Sequence, residues 1–142
     1  MTARVRFPLR KTVMLVAGVL AGALFAPSGA TAAEQLVPKD QATQVVNVTD
    51  VAMQDGTITG KLVNKSNDTL RDVKLIIDQA WLWNNERRPG TDNPSRTDFY
   101  VVPEIPPRGS VTFQYRSPAP TQRTDGHFTA HVEVESFTQV GS

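Results

Sequence analysis

Beyond residue 43, apolar and polar residues alternate in steps of two through most of the chain, the signature of strands that bury one face. A first strand is predicted over residues 44–53, with Val46 and Val48 on one side. Gln54, Asp55 and Gly56 then read as a tight hairpin turn, because Asp-Gly accepts positive φ. A second strand over 57–64 sets Ile58, Gly60 and Leu62 against Thr57, Thr59 and Lys61. The polar run 65–68 turns the chain again. The longest strand, over 70–82, points Val73, Leu75 and Ile77 inward and Lys74 and Asp78 outward. Strand character returns at 98–102 and at 110–116, where Val111, Phe113 and Tyr115 share a side. Over 127–137, Phe128, Ala130, Val132 and Val134 alternate with Thr129, His131, Glu133 and Glu135. The prolines and glycine of 103–109 predict a turn between two of these strands. Six or seven short strands in a domain of this size predict an all-β fold, an immunoglobulin-like β-sandwich of about seven strands, with a small barrel as the alternative. Residues 34–43 are polar, contain Pro38 and show no period, so they read as a lead-in to a domain spanning 44–142.

The N-terminal residues follow a different rule. Arg4, Arg6, Arg10 and Lys11 precede an apolar run over 12–26, and the small residues Ala30, Thr31, Ala32 and Ala33 close it. That order is the one a cleavable secretory signal peptide carries, with cleavage expected after Ala32 or Ala33. The apolar run is about 15 residues, short of the roughly 20 that a spanning helix needs. With no cysteine in the chain, cleavage at a lipidated cysteine is closed, and Arg10-Lys11 is not a twin-arginine pair. The expectation is a bacterial protein exported by the general route to the periplasm or the medium, with residues 1–33 removed.

Removal of that segment changes the charge. The whole chain has 15 basic and 14 acidic residues. Residues 1–33 hold four of the basic residues and none of the acidic ones, leaving 11 against 14. A nucleic-acid partner calls for a basic patch on the mature domain, and none is expected here. The missing cysteines also exclude disulfides and thiolate metal sites, so the apolar core must hold the domain by itself.

Candidate chemistry is sparse. His127 and His131 have the spacing of a helical metal pair, but on a strand four residues span about 13 Å, too far to share one ion. Glu133 and Glu135 fall about 7 Å apart on the same strand face and have no cleft between them, which glycoside chemistry requires. Asp92, Asn93 and Asp98 lack the ligand rhythm of a calcium loop because Pro94 and Arg96 interrupt it. No nucleophile elbow, phosphate loop or zinc-protease motif is present. The expectation is a non-enzyme with no cofactor and no metal.

Residues 81–100 stand apart. Both tryptophans of the chain, Trp81 and Trp83, occupy positions i and i+2, which places them on one strand face about 7 Å apart. Asn84, Asn85, Glu86, Arg87 and Arg88 follow, and the connection 84–97 contains two prolines, a glycine and no apolar residue. Such length marks a functional or mobile loop. Aromatic rings beside guanidinium groups anchor protein partners or stack sugars, whereas a single buried tryptophan is a common plug of a sandwich core. The candidate binding residues are therefore Trp81, Trp83, Asn85, Glu86, Arg87, Arg88, Arg96 and Tyr100. Asp92, Arg96 and Asp98 are expected to pair with Arg87 and Arg88 to order the loop.

The run Gly60-Lys61-Leu62-Val63-Asn64-Lys65-Ser66, followed by Leu70-Arg71-Asp72-Val73-Lys74-Leu75, forms strand, Asn-x-Ser turn and strand. With Pro107-Arg108-Gly109-Ser110-Val111-Thr112-Phe113 it resembles the FxLYD-type Ig-like domains of exported bacterial proteins. Ile76-Ile77-Asp78 stands at the Leu-Tyr-Asp of that signature, and Lys74 at its Phe. The resemblance covers residues 57–115 and implies a non-catalytic module. The functional expectation is a protein-interaction domain of the cell envelope, acting through residues 81–100 or by strand addition at an open sheet edge. The alternative is a carbohydrate- or envelope-polymer-binding module built on Trp81 and Trp83.

Overall fold

The computed structural model describes residues 32–118 and 123–141. Of the residues read as a signal peptide, 1–33, all but Ala32 and Ala33 lie outside them. Seven strands and one short helix follow in the order β1 (Glu34–Pro38), α1 (Lys39–Val45), β2 (Val46–Gln54), β3 (Thr57–Asn64), β4 (Thr69–Trp83), β5 (Ser95–Ile105), β6 (Ser110–Arg116) and β7 (Gly126–Val140). They form two antiparallel sheets, β1-β7-β4-β5 and β2-β3-β6. The expected all-β sandwich is present. An immunoglobulin constant domain joins its first, second, fifth and fourth strands in one sheet. Here the first strand pairs with the last, so the likeness is to the two-sheet antiparallel architecture and not to the order of strands.

The alternating pattern does what its chemistry requires. Val73, Leu75 and Ile77 of β4, Val132 and Val134 of β7, and Ile58 and Leu62 of β3 are all buried between the sheets, with Phe113 and Phe137. The β2–β3 hairpin turns on Asp55 and Gly56, with φ of 49° and 75°, the two positive values that a two-residue turn of matching twist requires. Gly60 faces Phe113 across β3 and β6. A Cβ at residue 60 would come within 2.6 Å of the Phe113 ring, so the glycine lets the ring lie flat over the neighbouring strand.

Three departures from the sequence reading have local causes. Residues 34–43, expected as a lead-in, form β1 and most of α1: β1 pairs with the far end of β7, and α1 carries the chain across to the second sheet. Only Val37 and Ala42 are buried there, so there is no period to read. β5 begins at Ser95 and continues through Pro103 to Ile105, where a turn was expected. It is the outermost strand of its sheet, and an edge strand tolerates a missing N–H. The connection after Trp83 is correspondingly shorter than the sequence implies and occupies residues 84–94.

Two tethers hold the ends of the fold. Asn64 is 1% exposed. Its Nδ2 donates to the carbonyls of Asp68 (2.8 Å) and Pro106 (3.0 Å), and its Oδ1 accepts from Ser66 N (2.9 Å) and Ser66 Oγ (2.7 Å). One amide thereby joins the β3–β4 turn to the β5–β6 turn. At the other tether, Lys39 of α1 pairs with Glu133 on the outer face of β7, and His131 lies 3.1 Å from the same carboxylate. Hydrogen bonding to Lys39, then to His131, holds the Glu133 carboxyl below its ordinary value. A carboxyl with a lowered folded pKa contributes stability above its unfolded pKa and loses it as pH falls through the folded value. Replacing Lys39 with glutamine is therefore expected to move the Glu133 midpoint upward in an NMR titration of side-chain carboxyls. An unmoved midpoint would show that the pair does not persist in solution.

Candidate functional site

The candidate residues lie at the end of β4, in the connection that follows it, and on β5. From Val73 onward β4 presents its odd-numbered residues to the interior, so Trp81 and Trp83 share a face, as their spacing predicts. They do not form a flat platform. Trp81 is 3% exposed, with its ring edge-on to Trp83 (centroids 6.0 Å, 74°) and to Phe128 (4.9 Å, 80°). Edge-to-face rings are the packing of a core. Gly126 of β7 lies against the indole edge, where any Cβ would come within 2.6 Å of Trp81 Nε1. The Arg123 guanidinium covers what remains, 5.5 Å from the Trp81 ring and 4.7 Å from that of Trp83, and pairs with Asp125. Trp81 is thus a plug at the end of the sandwich, a correction to its place among the exposed binding residues. Trp83 stays half-buried.

The connection 84–94 is ordered by a residue that sequence reading weighed only as a calcium ligand. Asn93 is buried. Its Nδ2 donates to the Trp81 carbonyl and to Glu86 Oε2, each at 2.6 Å, and its Oδ1 accepts from Gly90 N at 2.9 Å. Glu86 Oε2 also accepts from Trp83 N at 3.3 Å. Glu86 is therefore an internal clamp, while Asn85, Arg87 and Arg88 project into solvent. The expected pairing of Arg87 and Arg88 with acidic neighbours is not what orders this loop. The ion pair that forms is Arg96 to Asp98, both on β5, at 2.7 Å. Asp98 also accepts from Gln79 Nε2 at 2.9 Å. The Asp98 carboxylate is thus engaged by Arg96 and Gln79, and the Asn93 amide by the loop.

Tyr100 belongs to a separate group. It pairs with Leu75, six residues from Trp81 along β4, which is about 20 Å at the rise of a strand. It packs against Tyr115 and Phe113 of β6 (5.9 and 6.4 Å between centroids). Burial, followed by hydrogen bonding to Asp98, raises the Tyr115 phenol above its ordinary value. The eight candidates thus divide into a plugged loop around Trp81 and a strand carrying Arg96 and Tyr100.

That strand holds the feature that sequence reading missed. Phe99 and Val101 are 54% and 48% exposed and lie on its outer face, with Lys74 Nζ 4.6 Å from the Phe99 ring centroid. Among the described residues, no strand pairs with the far side of β5. Pro103 was the available signal, since a proline within a strand marks an edge. The other candidate chemistry resolves into surface contacts. Glu133 is held by Lys39 and His131, and Glu135 by Lys74 at 2.6 Å. No group of three potential metal ligands occurs among the described residues, and no helix there is long and apolar enough to cross a membrane. No family model, curated protein or solved structure matches the chain.

Proposed function

We propose that this chain is an exported, non-catalytic β-sandwich protein that binds another protein of the cell envelope along the open edge of β5. The observation that carries the reading is the pair Phe99 and Val101, large apolar side chains left half in solvent on a strand whose far side is paired by no strand among the described residues. An exposed edge offers a row of unpaired N–H and C=O groups to an added strand. Alternate side chains then supply the contacts that select the partner. The N-terminal order of charged, apolar and small residues supports export. The resemblance of residues 57–115 to FxLYD-type modules supports a non-catalytic role.

The test is affinity capture from envelope extract with the wild-type chain, Val101→Lys, and the double variant Arg87→Ala/Arg88→Ala. Lysine at an exposed edge position keeps the fold and opposes strand addition. The expected result is a captured protein that is lost with Val101→Lys and retained with the loop variant. Loss with the loop variant alone would move the site to residues 84–94 and overturn the edge reading.

A further inference from the structure

We infer that the outer face of the β2-β3-β6 sheet binds a neutral oligosaccharide, at a site separate from the β5 edge. The two sheets differ in what their outer faces do with polar side chains. On the sheet that contains β5, Lys74 pairs with Glu135, Lys39 and His131 hold Glu133, and Thr97 donates to Asp78. On the other sheet the polar groups are left to the solvent. Thr59 of β3 stands opposite Gln114 of β6, and Lys61 opposite Thr112, with Gly60 between them. All four point outward, because Ile58, Leu62 and Phe113 of the same strands are buried. Neighbouring strands lie about 5 Å apart and alternate residues about 7 Å, so the four side chains mark a rectangle with the footprint of one sugar ring. Among the described residues, none of the four spends its side chain on a hydrogen bond or an ion pair.

β2 adds a fifth group. Its register steps from Thr49, opposite Lys61, to Ala52, opposite Thr59, so Asp50 and Val51 bulge out opposite Gly60. A bulge re-aims a side chain, and Asp50, with φ of 55°, lines one depression of about 490 Å³ together with the other four. Its carboxylate accepts from Thr49 Oγ1 at 3.2 Å and pairs with no cation among the described residues. A second depression of about 290 Å³ shares Thr59 and is lined by Ala52, Gln54, Asp55 and Thr57. Asp50 and Asp55 oppose an anionic ligand, and Lys61 opposes a cationic one. Phe113 is turned into the core, so neither depression offers the large apolar anchor that a peptide uses. The ligand that matches is neutral and rich in hydroxyls, each a donor and an acceptor at once. Two depressions joined at Thr59 suit a chain of at least two sugar units. Without a ring to stack on, the site relies on hydrogen bonds that are each worth little net in water, which places its dissociation constant on the order of 1 mM.

The test is an NMR titration of the isotope-labelled chain, purified after export. The probes are maltotriose, cellotriose and chitotriose, their monosaccharides, and trigalacturonate as the anionic control. One of the neutral trisaccharides is expected to move the amide signals of Gly60, Lys61, Thr112 and Gln114. It is expected to bind at least about tenfold tighter than its monosaccharide, the effect of a further set of hydrogen bonds. Thr59→Val/Thr112→Val removes two hydroxyls and keeps the branched shape that a strand favours, and is expected to abolish these shifts. The same spectra show whether the variant keeps the fold, and Gln114→Ala, expected to weaken binding severalfold, serves as the second variant. Val101→Lys, on the other sheet, is expected to leave sugar binding unchanged, so this site and the β5 edge stand or fall separately. Signals that move around Trp83 and residues 84–94 instead, or tighter binding of trigalacturonate, would overturn the inference. So would the absence of shifts with every neutral sugar at about ten times the expected dissociation constant. Equal affinity for trisaccharide and monosaccharide would overturn the extended site.

Discussion

Replacing Asn64 with alanine is expected to lower the unfolding free energy by about 3 kcal/mol, since four hydrogen bonds of roughly 1 kcal/mol each are lost and some partners stay buried. The side chain is 1% exposed and serves two carbonyls and both polar groups of Ser66. Pro106 lies 42 residues away in sequence, so the amide joins two loops that each cross from one sheet to the other. Neighbouring backbone bonds reinforce the link, from Asn64 N to Gly109 O at 2.9 Å and from Arg108 N to Ser66 O at 3.0 Å. Aspartate is nearly isosteric but cannot donate, and it sets a carboxylate against two carbonyl oxygens. Asn64→Asp is therefore expected to cost at least as much as alanine. Urea unfolding is the measurement, with an unchanged denaturant slope as the sign that the effect is one of stability. A loss below about 1 kcal/mol in both variants would mean that solvent replaces the amide at little cost.

Gly126→Ala is the second large effect. The new methyl would press on the Leu82 carbonyl oxygen and lie 2.6 Å from Trp81 Nε1. Leu82 and Trp83 are paired in register with His127 and Gly126, so relief requires either prying β4 from β7 or pushing the indole outward. Overpacking of this kind costs typically about 1–3 kcal/mol. Displacement of Trp81 into water adds a red shift of tryptophan emission, which a purely local backbone adjustment would not produce. Gly141→Ala serves as the control, because its nearest neighbour beyond the adjacent residues is Ala33 O at 3.7 Å. Gly126→Ala should lower the melting temperature and shift emission, while Gly141→Ala should do neither. Unchanged emission together with unchanged stability would show that the close approach of indole and glycine does not hold in solution.

The Trp81–Trp83 pair shows how far a local pattern reaches. Spacing of two on a strand assigns both rings to one face, and they share it. Which ring is buried depends on β7, because Trp81 is the one that packs edge-on to Phe128 and against Gly126. Position in sequence makes Glu86 a candidate binding residue. It is an internal acceptor, since Asn93 folds back on it from seven residues away. Arg96 and Tyr100 were grouped with the loop because they are near it in sequence. Register then carries them along β4, to positions opposite Gln79 and Leu75.

The sequence by itself determined the strands that bury one face. β3, β4, β6 and β7 fall within a residue or a few of their predicted spans because side chains alternate with a period of two and the buried face writes that period into the chain. The Asp55-Gly56 turn is legible for the same local reason, through the positive φ it demands. Only the tertiary structure decided that β1 is a strand, since a partner about 100 residues away holds it and one buried residue leaves no pattern. Only the order of strands made β5 an edge, and that order turned Pro103 from a strand breaker into a tolerated residue and left Phe99 and Val101 in water. Edge and centre are properties of pairing partners, and pairing partners are chosen by the whole chain.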